Sequence, residues 1–322
     1  MLRVTFLGTG GTLPTPNRNP SAISINREGE MILFDCGEGT QRQMMRAKTG
    51  MKLNSIFITH FHADHFLGIP GLVQTMSFNG RTEPLNIYGP EWTNQFTKLL
   101  MYLGYYKLGF PINSHELKDG DVIDMGDYLI RAVATDHGIP SLGYVLEEKK
   151  RLGRFDKDKA IELGIPVGPL FSKLQRGKAV VINGRKILPS QVVGKPRPGR
   201  KIVYSGDTRP CKSIEKASSG ADLLIHDGTL AEELRDWAVE TKHSTSREAA
   251  LLAKKARVKQ LILTHISSRY SESTEPLLLD AKEVFEDVKI AEELMEIEIP
   301  LQKGTNLSFL SHPKPVFYNT PS

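Results

Sequence analysis

His60-Phe61-His62-Ala63-Asp64-His65 brings three histidines and one aspartate together and directly follows the apolar run 56–59. Imidazole and carboxylate groups are the side chains that bind zinc-like divalent cations. His60 and His62 alternate along extended chain and therefore face one side, whereas Asp64 and His65, on the following turn, can face a second point nearby. The spacing predicts two adjacent metal sites. The alternative is a histidine-rich turn without metal, which is disfavoured because burying so many unpaired polar groups is costly.

The size and composition indicate a globular protein with a substantial core. The chain has 322 residues, of which 39% are hydrophobic, enough for one large domain or two small ones. Its two cysteines, Cys36 and Cys211, form no disulfide framework, and this composition is typical of a reducing cytoplasm. We expect no signal peptide, because residues 1–8 contain too few apolar residues. We also expect no membrane span, because no run of about 18 apolar residues occurs.

One segment carries most of the positive charge. Residues 149–201 contain 15 Lys and Arg residues and 3 acidic residues, a net charge of +12, and since the whole chain carries +5 the remainder carries −7. Residues 147–200, here called the basic insertion, are rich in Gly, Pro, Lys and Arg, which predicts a segment inserted into the folded domain. Such local basicity indicates a polyanionic partner. A solvated, flexible loop without a partner is the alternative.

Short apolar strands alternate with helical patterns on both sides of the basic insertion, which predicts a layered α/β fold. The turn 8–11 is expected near the site, and the tail after residue 310 reads as irregular. The predicted helices are 41–48, 68–78, 91–103, 246–256 and the acid-rich segment 280–296. The predicted strands are 2–7, 31–34, 53–59, 85–88, 122–134, 201–205, 222–226, 260–264 and 296–300.

Three further candidate ligands follow other predicted strands. His137, Asp207 and His265 each come just after an apolar run. Side chains at the carboxyl ends of several strands form the rim of an active site in α/β folds. A single His or Asp at such a position does not indicate a functional site. Together with the segment 60–65, however, these residues supply the remaining ligands of a two-metal centre.

These residues, in this order, resemble the metallo-β-lactamase superfamily and, within it, the ribonuclease Z family of tRNA 3′-processing endonucleases. The superfamily resemblance rests on His60, His62, Asp64, His65, His137, Asp207 and His265. The narrower resemblance rests on segments 132–137, 205–209, 243–245 and 263–270, and on the Gly- and Pro-rich segment 164–169 followed by Gly177-Lys178. It implies a single domain over residues 1–322, folded as a four-layer αββα sandwich, with the basic insertion as a projecting exosite arm.

The resemblance also implies roles for individual residues. His60, His62 and His137 would hold one zinc ion, Asp64, His65 and His265 a second, and Asp207 would bridge both; manganese suits the same ligands. Asp64 would also act as general base. His243 would donate a proton to the leaving group, with Asp227 orienting it. The alternatives are a helix-start residue for His243 and a structural acid at a strand end for Asp227.

The chain departs from the family pattern in two segments. The family's H-E-A-T reads His226-Asp227-Gly228-Thr229 here. The acidic side chain is therefore one methylene shorter, and whether it reaches His243 is open at this point. The family's P-x-K-x-R-N loop reads Pro14-Thr15-Pro16-Asn17-Arg18-Asn19, with Pro16 in the place of lysine. That loop is associated with sensing a CCA end, so discrimination against CCA-bearing tRNA stays open.

The activity implied is that of a cytoplasmic endoribonuclease that removes the 3′ trailer from precursor tRNA and leaves a 3′-hydroxyl. Relatives act as homodimers, and RNA helices are recognised mainly through shape and phosphates. A small-molecule hydrolase of the same fold is the first alternative, which the basic insertion argues against. A non-catalytic RNA-binding protein is the second, which the complete ligand set argues against. The candidate tRNA contacts are Gly164, Pro166, Gly168, Pro169, Lys173, Arg176 and Lys178.

Overall fold

Two large β-sheets form the centre of the structure, a computed structural model that describes residues 1–104 and 107–301 and the backbone of 308–310. The C-terminal tail predicted to be irregular, after residue 310, lies outside the described residues. The strands are β1 (Leu2–Gly8), β2 (Ala22–Arg27), β3 (Glu30–Phe34), β4 (Leu53–Phe57), β5 (Leu85–Gly89), β6 (Ile112–Glu116), β7 (Val122–Asp124), β8 (Tyr128–Ala134), β9 (Leu142–Glu148), β10 (Val180–Ile182), β11 (Arg185–Ile187), β12 (Lys201–Tyr204), β13 (Leu223–Asp227), β14 (Leu261–Thr264), β15 (Val288–Ile290), β16 (Glu296–Glu298) and β17 (Ser308–Leu310).

Helices of one to three turns connect many of these strands. None of those in the described part of the chain has the length and hydropathy needed to cross a membrane. The helices are α1 (Thr40–Ala47), α2 (Ala63–Phe66), α3 (Ile69–Phe78), α4 (Thr93–Met101), α5 (Lys157–Glu162), α6 (Pro169–Gln175), α7 (Lys212–Ala217), α8 (Arg235–Glu240), α9 (Ser246–Ala256) and α10 (Glu275–Lys282).

The two sheets combine parallel and antiparallel pairing. The first has the order β17-β16-β1-β2-β3-β4-β5-β6, and its strands from β3 to β6 run parallel. The second has the order β15-β14-β13-β12-β9-β8-β7, and its strands from β12 to β15 run parallel. Because parallel strands end at the same edge of a sheet, residues that follow them are brought together.

Three apolar clusters define four layers. Alternate residues of each sheet, such as Val4 and Phe6 in β1 and Tyr144 in β9, point between the sheets and form the central core. The opposite face of the first sheet packs against helices α1, α3 and α4. That of the second packs against α7, α9 and α10. The arrangement is helix, sheet, sheet, helix, and it confirms the predicted αββα sandwich.

Many of the predicted helices and strands occur in the structure, but two of the predictions were wrong. Helix α9 has the predicted bounds, because Thr245 caps its N-terminus and Glu248 completes the capping box. The helix predicted over 280–296 ends at Lys282 instead. Residues 288–290 then form β15, which pairs with β14 because apolar Val288 and Ile290 alternate around Lys289.

The second error concerns segment 122–134, which was predicted as one strand. It is divided into β7 and β8 by a tight turn in which Gly126 has φ +88°, a left-handed conformation that favours glycine. Strands β2, β6 and β9 were not predicted, although β2 and β9 lie in the middle of their sheets and contribute to the central core.

The basic insertion connects two strands that are direct neighbours. β9 and β12 pair antiparallel, with Lys201 opposite Glu147, so the first two residues of the predicted insertion, 147 and 148, belong to β9. Arg200 donates three hydrogen bonds to the carboxylate of Glu148, from its backbone N (3.1 Å), Nε (2.8 Å) and Nη2 (2.6 Å). Both side chains are buried, and they close the base of the segment.

Within the basic insertion, two short helices and a hairpin surround a small apolar cluster of their own. The helices are α5 and α6, and the hairpin is formed by β10 and β11. Ala160, Ile165 and Leu174 are buried together with Val180 and Ile187. The segment is therefore folded around apolar contacts rather than merely solvated, while its role in binding RNA stays a prediction.

Candidate metal centre

All seven predicted ligands lie together at the edge where several strands of both sheets end. His60 and His62 follow β4, and Asp64 and His65 lie in the short helix α2. The three other ligands follow strands of the second sheet: His137 comes after β8, Asp207 after β12 and His265 after β14. The turn 8–11 also lies here, as predicted, since a Cβ on Gly11 would come within 3.1 Å of Cε1 of His265.

The first group of ligand atoms is formed by His60, His62, His137 and Asp207. Nδ1 of His62 lies 3.0 Å from Nε2 of His60 and 3.2 Å from Nε2 of His137. Oδ2 of Asp207 lies 3.7 Å from Nε2 of His60. Three imidazole nitrogens and one carboxylate oxygen thus converge on one point, which is a donor set that zinc favours.

The second group is formed by Asp64, His65 and His265. Oδ2 of Asp64 lies 3.3 Å from Nε2 of His265 and 3.5 Å from Nε2 of His65. Asp207 adjoins this group too, because its Oδ2 lies 3.1 Å from Nε2 of His265 and 3.3 Å from Nε2 of His65. Asp207 therefore lies between the two groups, where a bridging ligand would be.

Unpartnered buried atoms indicate that these groups fit cations. Within the described part of the chain, Oδ1 of Asp64, Oδ1 of Asp207 and Nε2 of His65 are all buried without a hydrogen-bond partner. Burying such atoms unpaired costs free energy, and that cost is removed when they bind a cation. The residues present therefore fit a metal centre by their chemistry and by their convergence.

The buried carboxylates and imidazoles of this centre set one another's charge states. Burial lowers the pKa of His60 well below its ordinary value, which keeps the imidazole neutral. Burial alone would raise the pKa of Asp207, but the imidazoles of His265 and His65 hold it well below its usual range. Burial alone would lower the pKa of His65, but the carboxylates of Asp207 and Asp35 raise it well above its ordinary value. Metal binding would therefore release a proton from His65.

Asp35 is a residue of this site that was not predicted from the sequence. It follows β3, is fully buried and has φ +57°. Its carboxylate accepts the backbone N–H of Thr59 at 2.7 Å and the hydroxyl of Tyr204 at 2.8 Å, and it lies 2.8 Å from Nδ1 of His65. It thereby orients a ligand, as carboxylates around metal sites commonly do. Its position directly after a buried strand was the available signal.

The other ligands are also held from behind. Nδ1 of His265 lies 2.9 Å from Oγ1 of Thr229, and Nδ1 of His137 lies 3.2 Å from the carbonyl oxygen of Lys242. His265 itself has φ +60°, an uncommon conformation for a residue with a side chain. Backbone strain of this kind persists where the surrounding structure holds it, and it is frequent at functional sites.

His243 and Asp227 lie beside the seven ligands. Nδ1 of His243 is 2.8 Å from Oδ2 of Asp227, so the shorter aspartate does reach the imidazole. The ring of His243 stacks on that of His265 with 5.0 Å between centroids. Burial alone would lower the pKa of His243, but the Asp227 carboxylate raises it to about 9. The imidazole is therefore a protonated group next to the candidate centre, as a proton donor must be.

The predicted tRNA contacts lie on the basic insertion. Gly164 has φ +76°, a left-handed conformation that suits glycine, and Pro169 is the first residue of α6. Lys173, Arg176 and Lys178 are all exposed around the end of that helix. These side chains are free to meet phosphates, while contact with RNA stays a prediction.

Comparisons with known proteins agree with this geometry. The family model described as beta-lactamase superfamily domain matches residues 181–266, and the one described as Anti-Pycsar protein Apyc1 matches residues 2–153. Among solved structures, human tRNase Z, short form, has a TM-score of 0.66 and 32% sequence identity, covering 92% of this chain and 99% of that one. The metallo-beta-lactamase fold protein YhfI from Bacillus subtilis, with a TM-score of 0.66 and 22% identity over 92% of this chain and 98% of its own, shows the same fold.

The sequence relatives are more similar still. Ribonuclease Z from Methanosarcina acetivorans is 63% identical over 301 residues, which cover 93% of this chain and 99% of the relative. Ribonuclease Z from Archaeoglobus fulgidus is 50% identical over 306 residues, covering 94% of this chain and 100% of the relative. With this identity over nearly the whole chain, and with the seven ligand residues gathered at one sheet edge, the chain belongs to the ribonuclease Z family of the metallo-β-lactamase superfamily.

Proposed function

We propose that this protein is an endoribonuclease that removes the 3′ trailer from precursor tRNA by hydrolysing one phosphodiester bond. The observation that carries the proposal is the position of the His243–Asp227 pair directly beside two groups of metal-binding side chains. Cations and a proton donor are what a phosphodiester needs when its leaving group is an alkoxide. The ribonuclease Z relatives supply the substrate class, which is precursor tRNA.

We propose that two zinc ions occupy the centre, with manganese as the alternative that the same ligands accept. His60, His62 and His137 would hold one ion, Asp64, His65 and His265 the other, and Asp207 both. Bound there, such a pair supplies positive charge that activates water and neutralises the phosphate oxygens.

Asp64 would receive the proton of the attacking water. Burial alone would raise the pKa of its carboxyl group, but the neighbouring imidazoles of His265 and His65 hold it below its usual range. It is therefore ionised at neutral pH. One of its oxygens faces His265 and His65, while Oδ1 has no hydrogen-bond partner among the residues that the structure describes.

His243 would protonate the leaving ribose 3′-oxygen. Its Nδ1 side is held by Asp227, which leaves Nε2 to face the substrate. Asp227 is itself fixed, because its Oδ1 accepts the backbone N–H of Thr229 at 3.0 Å and its Oδ2 the backbone N–H of Thr208 at 3.1 Å. The pair keeps a charged imidazole in one orientation, which lowers the cost of reaching the productive geometry.

The substrate body would be held by the basic insertion. Phosphate contacts from Lys and Arg dominate the affinity of proteins for nucleic acids, and the exposed side chains of Lys173, Arg176 and Lys178 provide three. Gly164 and Gly168 let the backbone approach a phosphate closely. We further propose a homodimer in the cytoplasm, in which the basic insertion of one subunit holds the tRNA that the other cuts.

Cleavage mapping tests the proposed activity. A precursor tRNA labelled at its 5′ end should yield one product that ends in a 3′-hydroxyl after the discriminator base. Asp64→Ala should lower the rate by at least about 10³-fold, whereas Asp127→Ala, at an 83% exposed side chain, should leave it unchanged. Trailer removal by Asp64→Ala at the wild-type rate would overturn the mechanism.

Metal analysis tests the proposed number and identity of ions. Protein purified without added metal should contain two zinc ions per chain by elemental analysis. His60→Ala and His265→Ala, which each remove a ligand of one group, should each lower the content toward one. A wild-type content of one ion, or of manganese alone, would overturn the two-zinc assignment.

A further inference from the structure

Arg209 connects the metal centre to the segment that carries His243. Two residues beyond Asp207, its Nη1 donates to the carbonyl oxygen of His243 at 2.6 Å and to Oε2 of Glu248 at 2.7 Å. Its Nη2 donates to the other carboxylate oxygen of Glu248. The guanidinium is mostly buried, with 14% of its side chain exposed. One planar group thus binds a backbone carbonyl and a carboxylate at the same time.

Glu248 ties this contact to a helix terminus. It is the third residue of α9, and its Oε2 accepts the backbone N–H of Thr245 at 3.0 Å while its own N–H binds Oγ1 of Thr245 at 3.2 Å. This capping box fixes the beginning of the helix. His243 lies two residues before Thr245, so its backbone is held between Arg209 and a rigid helix end.

The backbone of Arg209 is fixed as firmly as its side chain. Its N–H donates to the carbonyl oxygen of Asp136 at 2.9 Å, and the N–H of Asp136 donates to Oγ1 of Thr208 at 3.0 Å. On the other side, Oγ of Ser244 donates to the carbonyl oxygen of Thr208 at 2.6 Å. Residues 208 and 209 therefore join the strand end that carries His137 to the segment that carries His243.

We propose that Arg209 is a positioning residue for proton donation, which holds the main chain of His243 so that its imidazole stays within reach of the leaving oxygen. The inference rests on the proposed role of His243 as proton donor. The effect is geometric, because the guanidinium contacts the carbonyl group of His243. A misplacement of about 1 Å can cost about 10²-fold in rate. Lysine would replace only part of this arrangement, since its ammonium lacks the planar fork.

The competing explanation is that Arg209 and Glu248 only stabilise helix α9. The two explanations differ in which reactions suffer. Loss of stability or of metal ligation would impair every phosphodiester, whereas loss of proton donation impairs only substrates whose leaving group must be protonated. Bis(p-nitrophenyl) phosphate releases p-nitrophenolate, which is stable enough to leave without a proton. Precursor tRNA releases a ribose 3′-oxygen, which must be protonated as it leaves.

Substitution of Arg209 tests the proposal with these two substrates. Arg209→Met should lower kcat for precursor tRNA by about 10–100-fold, leave KM within about threefold of wild type and leave hydrolysis of bis(p-nitrophenyl) phosphate within about threefold. Arg209→Lys should recover part of the loss. Zinc content should be unchanged in both variants. A parallel loss on both substrates, or a loss of zinc, would overturn the proposal.

A double-mutant cycle with His243→Ala shows whether Arg209 acts through His243. If it does, Arg209→Met should cost less than about threefold further in the His243→Ala background. Full additivity of the two losses would overturn the proposal. This measurement keeps its meaning even when the single Arg209→Met variant is destabilised, because stability enters both arms of the cycle.

Two controls complete the design. Asp222→Asn removes a carboxylate that accepts the N–H of Lys201 at 2.8 Å at the other end of β13 from Asp227, and should change kcat for neither substrate at a temperature where the protein is folded. His243→Ala alone tests the proposed function. If His243→Ala loses activity equally on both substrates, the assignment of His243 as proton donor is wrong. If His243→Ala loses activity only on precursor tRNA and Arg209→Met shows no such selective loss, only the positioning role of Arg209 is wrong.

Discussion

Nδ1 of His243 lies 2.8 Å from Oδ2 of Asp227, and the carboxylate raises the pKa of the imidazole to about 9. A proton donor works in its protonated form, which is populated below its pKa. Cleavage of precursor tRNA should therefore fall as the pH rises through about 9. Asp227→Asn removes the charge that raises this pKa, so the fall should move to lower pH and kcat at pH 8 should drop by at least about tenfold.

The matched variant is Asp227→Glu, which keeps the charge. It should retain an alkaline fall close to that of the wild type when kcat is measured between about pH 6 and pH 10 under single-turnover conditions. Identical pH profiles for the wild type and Asp227→Asn would contradict the role of the pair.

Asp35 should control metal affinity although it belongs to neither group of ligands. Its carboxylate lies 2.8 Å from Nδ1 of His65 and also binds Tyr204. Loss of such a partner typically weakens metal binding by about 10–100-fold. Asp35→Asn should show this loss in a competition titration against a zinc chelator. Tyr204→Phe removes only one hydrogen bond to Asp35 and should lose less, so an equal or larger loss there would count against this account.

The exposed cations of the basic insertion should determine affinity and its salt dependence. Replacing Lys173, Arg176 and Lys178 together by alanine should raise KM for precursor tRNA and reduce the slope of log K against log salt by up to about 3, since each phosphate contact contributes about 0.9. Hydrolysis of bis(p-nitrophenyl) phosphate should be unchanged.

A control with the same change in net charge uses three exposed cations at the end of α9, residues 254, 255 and 257. Their replacement by alanine should leave most of the salt slope in place. If both triple variants lose the same slope, the basic insertion has no special part in binding.

The buried pair Glu148–Arg200 should make the protein sensitive to acid. Burial alone would raise the pKa of Glu148, but the hydrogen bonds from Arg200 lower it to about 2. A carboxyl group whose folded pKa is depressed contributes stability above its unfolded pKa, near 4.3, and loses it as the pH falls through about 2. Glu148→Gln should lower the free energy of unfolding by about 3 kcal/mol at pH 7, and the difference from wild type should shrink below about pH 4.

Urea unfolding followed by circular dichroism at several pH values measures this difference. Asp124→Asn breaks a nearby pair in which Oδ1 of Asp124 lies 2.8 Å from Nζ of Lys149, but both side chains are largely exposed. It should leave the free energy of unfolding unchanged within error. A difference for Glu148→Gln that stays constant down to about pH 2 would contradict the assignment.

The ligands could be predicted from the sequence because each follows a short apolar run, and that pattern is local. Asp35 follows such a run too, but its role depends on Thr59, His65 and Tyr204, which come from separate parts of the chain, so nothing near it in sequence indicates its partners. Helix α9 was predicted to its exact bounds because its cap lies within four residues. The error over 280–296 arose because an acid-rich segment is also typical of an exposed helix. Residues 288–290 form a strand because they pair with β14, a contact that the local sequence does not show.

The antiparallel pairing of β9 with β12 places the basic insertion at one end of these strands, away from the candidate metal ligands at the other end. A segment that leaves and re-enters a sheet between adjacent strands can lengthen, shorten or be exchanged without shifting the register of either strand, and the ion pair at its base seals the entry from within. The candidate metal ligands lie at the opposite ends of the strands. If the basic insertion holds the substrate as proposed, that surface can be remodelled while the metal-binding side chains keep their positions.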